Sequence, residues 1–130
     1  MSVFRITGGT PLSGTVAAGG NKNAALPMLA AALLTDEEVV LRNVPGIGDV
    51  KTMAEIAAAT GVDVAFDLKA GRVALRASSV SSGELPRELC RQVRAGVLFA
   101  APLLHRTGVA RMHPPGGDVI GRRRLDAHLT

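Results

Sequence analysis

The apolar positions change period several times along the chain, and each change marks a predicted element. Val3–Thr7 and Ser13–Ala18 alternate apolar and polar residues, which predicts two strands around the turn Gly8-Gly9-Thr10-Pro11. Gly19-Gly20-Asn21-Lys22-Asn23 then leads into the apolar run Ala24–Leu34, a helix that Asn21 or Asn23 can cap, with Pro27 tolerable in its first turn. Val39–Val44 carries the β-branched residues of a strand, and Pro45-Gly46-Ile47-Gly48 closes it. Asp49 can cap a helix over Val50–Thr60, where Met53, Ile56, Ala57 and Thr60 share one face and Gly61 marks the end. Val62–Asp67 and Arg72–Ala77 alternate about Leu68-Lys69-Ala70-Gly71 and predict a hairpin.

Beyond the serine-rich connector Ser78–Glu84, Pro86 suits the first turn of a long helix over Arg87–His105. Leu89, Val93, Val97, Ala100 and Leu104 form its apolar face, with Arg87, Arg91 and Arg94 opposite. Val109–Met112 predicts a strand that runs into His113–Arg124, where prolines and glycines stop regular structure. Arg122–Leu129 has the pattern of a further helix.

A shift of 69 residues aligns much of this layout with itself. Val40, Arg42, Pro45, Gly48, Asp49 and Val50 fall on Val109, Arg111, Pro114, Gly117, Asp118 and Val119. Leu29, Ala31, Ala32 and Leu34 fall on Leu98, Ala100, Ala101 and Leu103. Each unit reads helix, strand, loop with an aspartate, helix and closing hairpin. Shared ancestry and shared layout both account for such an alignment. The second unit stops inside its second helix, so the sequence is expected to be the N-terminal piece of something longer, with an unpaired edge at Val109–Met112.

Composition narrows the function. Hydrophobic residues make up 47% of the 130 positions, enough for a folded core, but aromatics only 2%, so that core must be aliphatic. The near-absence of aromatics weakens a single-strand nucleic-acid role, which relies on stacking platforms. The single cysteine, Cys90, excludes an internal disulfide and a thiolate metal cluster, and its apolar setting suggests a small core residue. The longest apolar runs are too short to span a bilayer and no signal-peptide pattern opens the chain, so a cytoplasmic protein is expected.

Charge is uneven. Residues 1–80 carry seven basic and seven acidic side chains, whereas residues 81–130 carry eight and four. The whole excess of +4 therefore lies around the Arg87–His105 helix and the Asp118 loop, as a site for a small anion would require. No nucleic-acid recognition motif accompanies it. The loop places Asp118 four residues before Arg122, Arg123 and Arg124, which can be an anion site or simply solvated charge. The Gly19–Asn23 turn has the same two readings: a lysine at a glycine-rich helix start that can hold an anion, or a capped helix with an exposed lysine.

G-G-N-K-N-A-A-L-P (19–27), R-A-G-V (94–97), P-G-G-D-V-I-G-R-R (115–123) and L-D-A-H (125–128) together resemble the enolpyruvyl transferases, from Val3 to the end of the chain. The first and third motifs are specific in both residues and spacing. The resemblance implies an α/β fold of repeated βαβαββ units with helices packed inside (an inverse α/β barrel). Unit one is expected at about 19–77, and an incomplete, truncated unit two at about 87–130. Residues 1–18 would be a strand pair that normally belongs to the other, absent domain. The implied reaction moves the enolpyruvyl group of phosphoenolpyruvate to the 3-hydroxyl of UDP-N-acetylglucosamine, with no metal or organic cofactor and no nucleic-acid or membrane partner. Transfer to shikimate 3-phosphate, or a non-catalytic anion-binding remnant, are the alternatives.

Residue by residue, Lys22 and Asn23 match phosphoenolpyruvate contacts. Arg94, Arg123, Arg124, Leu125, Asp126 and Ala127 match nucleotide-sugar contacts, with Arg123 also near phosphoenolpyruvate. Asp118 matches the loop acid, usually a cysteine, that protonates the enolpyruvyl methylene carbon. The family usually has leucine where Pro114 stands and proline where Arg124 stands. Its members are about three times longer, so a C-terminal domain would be needed to complete the site. The aspartate carries an energetic demand. A free aspartic acid has a pKa near ~3.9, so holding it protonated at neutral pH takes about 4 kcal/mol, which burial or a bound anion can supply and neighbouring arginines oppose.

Overall fold

The computed structural model describes residues 3–9, 11–67 and 69–116. Asp118 and the segment Arg122–Leu129 lie outside them.

Helix α1 spans Lys22–Ala31 and starts where Asn21 caps it, the Asn21 side-chain oxygen accepting from the Ala24 N–H at 3.1 Å. Because the helix begins at Lys22 rather than Ala24, Pro27 sits inside it and not in its first turn. Pro27 has no N–H to offer the Asn23 carbonyl four residues back, and Asn23 is exposed, so water can serve that carbonyl. A 3₁₀ turn, Ala32–Leu34, ends the run. Strand β1 covers Glu38–Leu41 and stops short of Val44, because Asn43 turns into the left-handed region at φ 54°. Helix α2 spans Gly48–Ala59 and buries Val50, Met53, Ile56 and Ala57. Its cap position is Ile47, without a side-chain bond, and Asp49 lies in the first turn instead of capping. Gly61, at φ +95°, ends α2 as the sequence predicts.

Strands β2, Asp63–Asp67, and β3, Arg72–Arg76, form the expected hairpin. Asp67 shapes the turn by accepting from the Lys69 and Ala70 N–H groups. The sheet is antiparallel throughout, in the order β1-β3-β2. Val73 and Leu75 of the central strand, with Val39, Leu41 and Val64 beside them, face the helices. Leu29, Leu33, Met53, Ile56 and Phe99 complete the core, and Phe99 is its one aromatic side chain.

The predicted long helix is broken into three pieces: α3 at Arg87–Cys90, a 3₁₀ segment at Arg94–Phe99, and α4 at Ala100–Thr107. Val93 is extended (φ −138°, ψ 136°) and forms the break. A continuous α-helix over Arg87–His105 would carry Pro102 deep in its interior, whereas in the divided chain Pro102 lies in the first turn of α4. The break also parts the arginine stripe, leaving Arg87 and Arg91 on one turn and Arg94 at the start of the next. The 69-residue repeat thus does not extend to helix type. Residues of α1 align with the 3₁₀ segment, and the Ala32–Leu34 turn aligns with α4.

Two edges differ from expectation. Among the described residues of 3–18 there is no strand, and Phe4 and Leu12 are 89% and 98% exposed. Alternation alone does not hold a strand pair that has nothing to pack against. Val109–Met112 is reduced to a single parallel bridge, Glu84↔Arg111. Its edge is not left bare, because the Leu85 N–H donates to the Arg111 carbonyl and the Arg111 N–H to the Gly83 carbonyl. The chain then folds back over α3, where the Gly116 N–H donates to the Cys90 carbonyl at 2.9 Å. A Cβ on Gly116 would occupy the space of the Arg91 carbonyl, so only glycine fits.

Leu29→Ala is expected to cost about 3 kcal/mol in urea unfolding, because the side chain is fully buried. Leu12→Ala should change stability by less than about 0.5 kcal/mol, and a larger loss would show that the N-terminal segment packs. Gly116→Ala should cost about 1–3 kcal/mol by thermal melt and raise amide exchange at residue 116, and an unchanged melt would remove the anchor described above.

Candidate active site

The N-termini of α1 and α2 converge. Lys22, the first residue of α1, places its Nζ 2.9 Å from Oδ2 of Asp49, in the first turn of α2. Packing between the two helices brings these ends together. Gly20 makes the approach possible, since a Cβ there would collide with the Asn43 carbonyl and the Pro45 ring. Each helix start presents a positive pole, so the locus favours anions. The ion pair is half-exposed, with Lys22 and Asp49 side chains at 46% and 40%, and such a pair contributes at most about 1 kcal/mol to stability.

Asn23 is exposed beside Lys22 on α1. Arg94 is half-buried at the head of the 3₁₀ segment Arg94–Phe99, which packs against α1. Lys22 and Asn23 thus lie on α1, and Arg94 on an element packed against it. Asp118, Arg123, Arg124, Leu125, Asp126 and Ala127 lie outside the described residues. The approach to them is described: His113, Pro114 and Pro115 run beside Cys90, Val93 and Val97 around an apolar cavity of about 240 Å³. Gly116 is then pinned to Cys90, the last residue of α3. Cys90 itself is buried, as expected for a core residue.

The chemistry open to these groups is charge-assisted binding of an anion by an ammonium, a guanidinium and helix N–H groups. Among the described residues no group of three or more His, Cys, Asp or Glu side chains could hold a metal ion, and no helix is long and apolar enough to cross a membrane. Sequence reasoning missed the partnership of Asp49 with Lys22 by treating Asp49 as a helix cap. The signal was present in the 69-residue repeat, which aligns Asp49 with Asp118.

Residues 6–130 match the EPSP synthase (3-phosphoshikimate 1-carboxyvinyltransferase) family. The chain is 47% identical over 129 residues to a UDP-N-acetylglucosamine 1-carboxyvinyltransferase of Treponema denticola, covering 99% of this chain and 30% of that protein. The proteins of the same name from Treponema pallidum and Bradyrhizobium diazoefficiens are 50% and 46% identical, again with about 30% of their length covered. Among solved structures, the enolpyruvyl transferase NikO from Streptomyces tendae superposes with a TM-score of 0.68 at 30% identity, covering 79% of this chain and 24% of that one. The chain thus spans about three-tenths of the length of the curated relatives it matches. With helices laid on one face of an antiparallel sheet, and lysine and arginine set at helix starts on adjoining elements, the chain belongs to the EPSP synthase family of carboxyvinyltransferases.

Proposed function

We propose that this chain supplies part of the site of an enolpyruvyl transferase that acts on phosphoenolpyruvate and the 3-hydroxyl of UDP-N-acetylglucosamine, releasing phosphate in the first committed step of peptidoglycan synthesis. The observation that carries the reading is Lys22 at the joined N-termini of α1 and α2, with Arg94 on the element packed against α1. The names and identities of the relatives favour the nucleotide sugar over shikimate 3-phosphate as acceptor. The proposal includes the cytoplasm as compartment, no metal or organic cofactor, and no nucleic-acid or membrane partner. It also assigns residues 1–18 to a strand pair of a second domain, 19–130 to a partial domain, and the rest of the site to residues beyond this chain. Alone, the 130 residues would bind but not turn over.

In the addition step the sugar hydroxyl gives its proton to a base and its oxygen bonds to C2 of phosphoenolpyruvate, while the C2=C3 double bond opens and C3 gains a proton. In the elimination step C3 gives up a proton and the C2–O bond to phosphate breaks. Lys22, Asn23 and Arg123 neutralise the phosphoenolpyruvate anion, while Arg94 and residues 123–127 hold the nucleotide sugar. Asp118 delivers the proton to C3 once the bound anion raises its proton affinity.

Calorimetry of the purified chain should show saturable binding of UDP-N-acetylglucosamine, with a cooperative melt on the same sample. Preference for shikimate 3-phosphate would move the assignment to the alternative acceptor, and binding of neither would leave an anion-binding remnant. Joined to the C-terminal two-thirds of the Treponema denticola relative, the chain should release phosphate from phosphoenolpyruvate only with the sugar present. Asp118→Asn in that chimera should lower turnover by about 100-fold or more, and unchanged turnover would remove the role. A thiol-alkylating epoxide such as fosfomycin should not inactivate the chimera through this chain, since the one cysteine, Cys90, is buried. A covalent adduct on Asp118 by mass spectrometry would overturn that expectation.

A further inference from the structure

We infer that Asp49 is the positioning residue for Lys22. The inference rests on the phosphoenolpyruvate site proposed above and extends it to a residue that no motif singles out. Three observations meet at this pair. The Asp49 carboxylate lies 2.9 Å from the Lys22 ammonium, across a sequence separation of 27 residues. Asp49 is not needed as a cap, because α2 begins at Gly48 without a side-chain bond to its cap. Both side chains are too exposed for the pair to be a device of stability.

The geometry explains what else the pair does. An ammonium at the first residue of a helix sits at the positive pole, which pushes it outward into solvent. A lysine side chain also loses substantial rotamer freedom when it is fixed. Asp49 offsets both effects: it is a carboxylate where α2 favours one, aimed at the ammonium across the junction. The ammonium carries three N–H donors, so Asp49 occupies one and does not by itself exclude an anion. Lys22 is thereby held at the common end of α1 and α2, and phosphoenolpyruvate meets a cation already ordered.

The chain has three lysines, Lys22, Lys51 and Lys69, so ¹⁵N-lysine labelling resolves the Lys22 ammonium directly. Phosphoenolpyruvate is titrated into the unaltered chain and into Asp49→Asn, Asp49→Ala and Asp49→Glu, following the Lys22 Nζ signal and the melt of each. Lys51, paired with Glu55 at 3.7 Å, is the internal control. The expected result is an unchanged melt, with affinity at Lys22 weakened about fivefold to tenfold in Asp49→Ala, less in Asp49→Asn, and restored to within about twofold by Asp49→Glu. Equal or tighter binding in Asp49→Ala overturns the inference while leaving the site intact, because a mere counter-ion would compete with the ligand. A large loss of melting temperature in all three variants overturns it as well, showing a structural role. No response of Lys22 in the unaltered chain overturns the proposed site itself.

Discussion

The close approach of α1 and α2 is the constraint on which the rest of the structure depends. A core with one buried aromatic side chain must gain its burial from tight aliphatic packing, and small residues along both helices permit it. Ala25 and Ala30 of α1, with Ala54 and Ala57 of α2, are buried alongside Leu29, Met53 and Ile56. The helices rest on the inner face of β3 through Val73 and Leu75. Gly20 lets the chain enter α1 hard against the Asn43 carbonyl. A side chain at residue 20 would push the helix start away from the loop that feeds α2. The packing that buries the core therefore also brings two positive helix ends, Lys22 and Asp49, to one place.

The second half of the chain reaches a similar end by another route. Its helical region does not copy α1, because Val93 takes an extended conformation and divides it. The 3₁₀ segment that results still packs on α1, with Phe99 fully buried. Arg106 of α4 donates to the Ala77 carbonyl and ties the second half to the end of β3. The return of the chain at Gly116 onto Cys90 then lays residues 113–116 over the turn that ends in Arg91. Ion pairs contribute little to this framework, since all three pairs among the described residues are partly exposed.

Local patterns in the sequence determined a good deal. The capped helix at Lys22–Ala31, the α2 face with its glycine stop, the β2–β3 hairpin and the aliphatic core were legible because each follows from neighbours within a few residues. The family was legible because the motifs at 19–27 and 115–123 are specific in both residue types and spacing. The N-terminal alternation forms no strand among the described residues of 3–18 for a physical reason: period-two patterning records that a face is meant to be covered, not what covers it. The long helix was misread because a window of apolar periodicity does not weigh Pro102 against the break at Val93. What only the tertiary structure decided is which groups meet across the chain. Asp49 turned from a cap into the partner of Lys22, and Gly83 and Leu85 became the edge for Arg111. Such contacts depend on how close two elements come, and that distance is set by packing through the whole core.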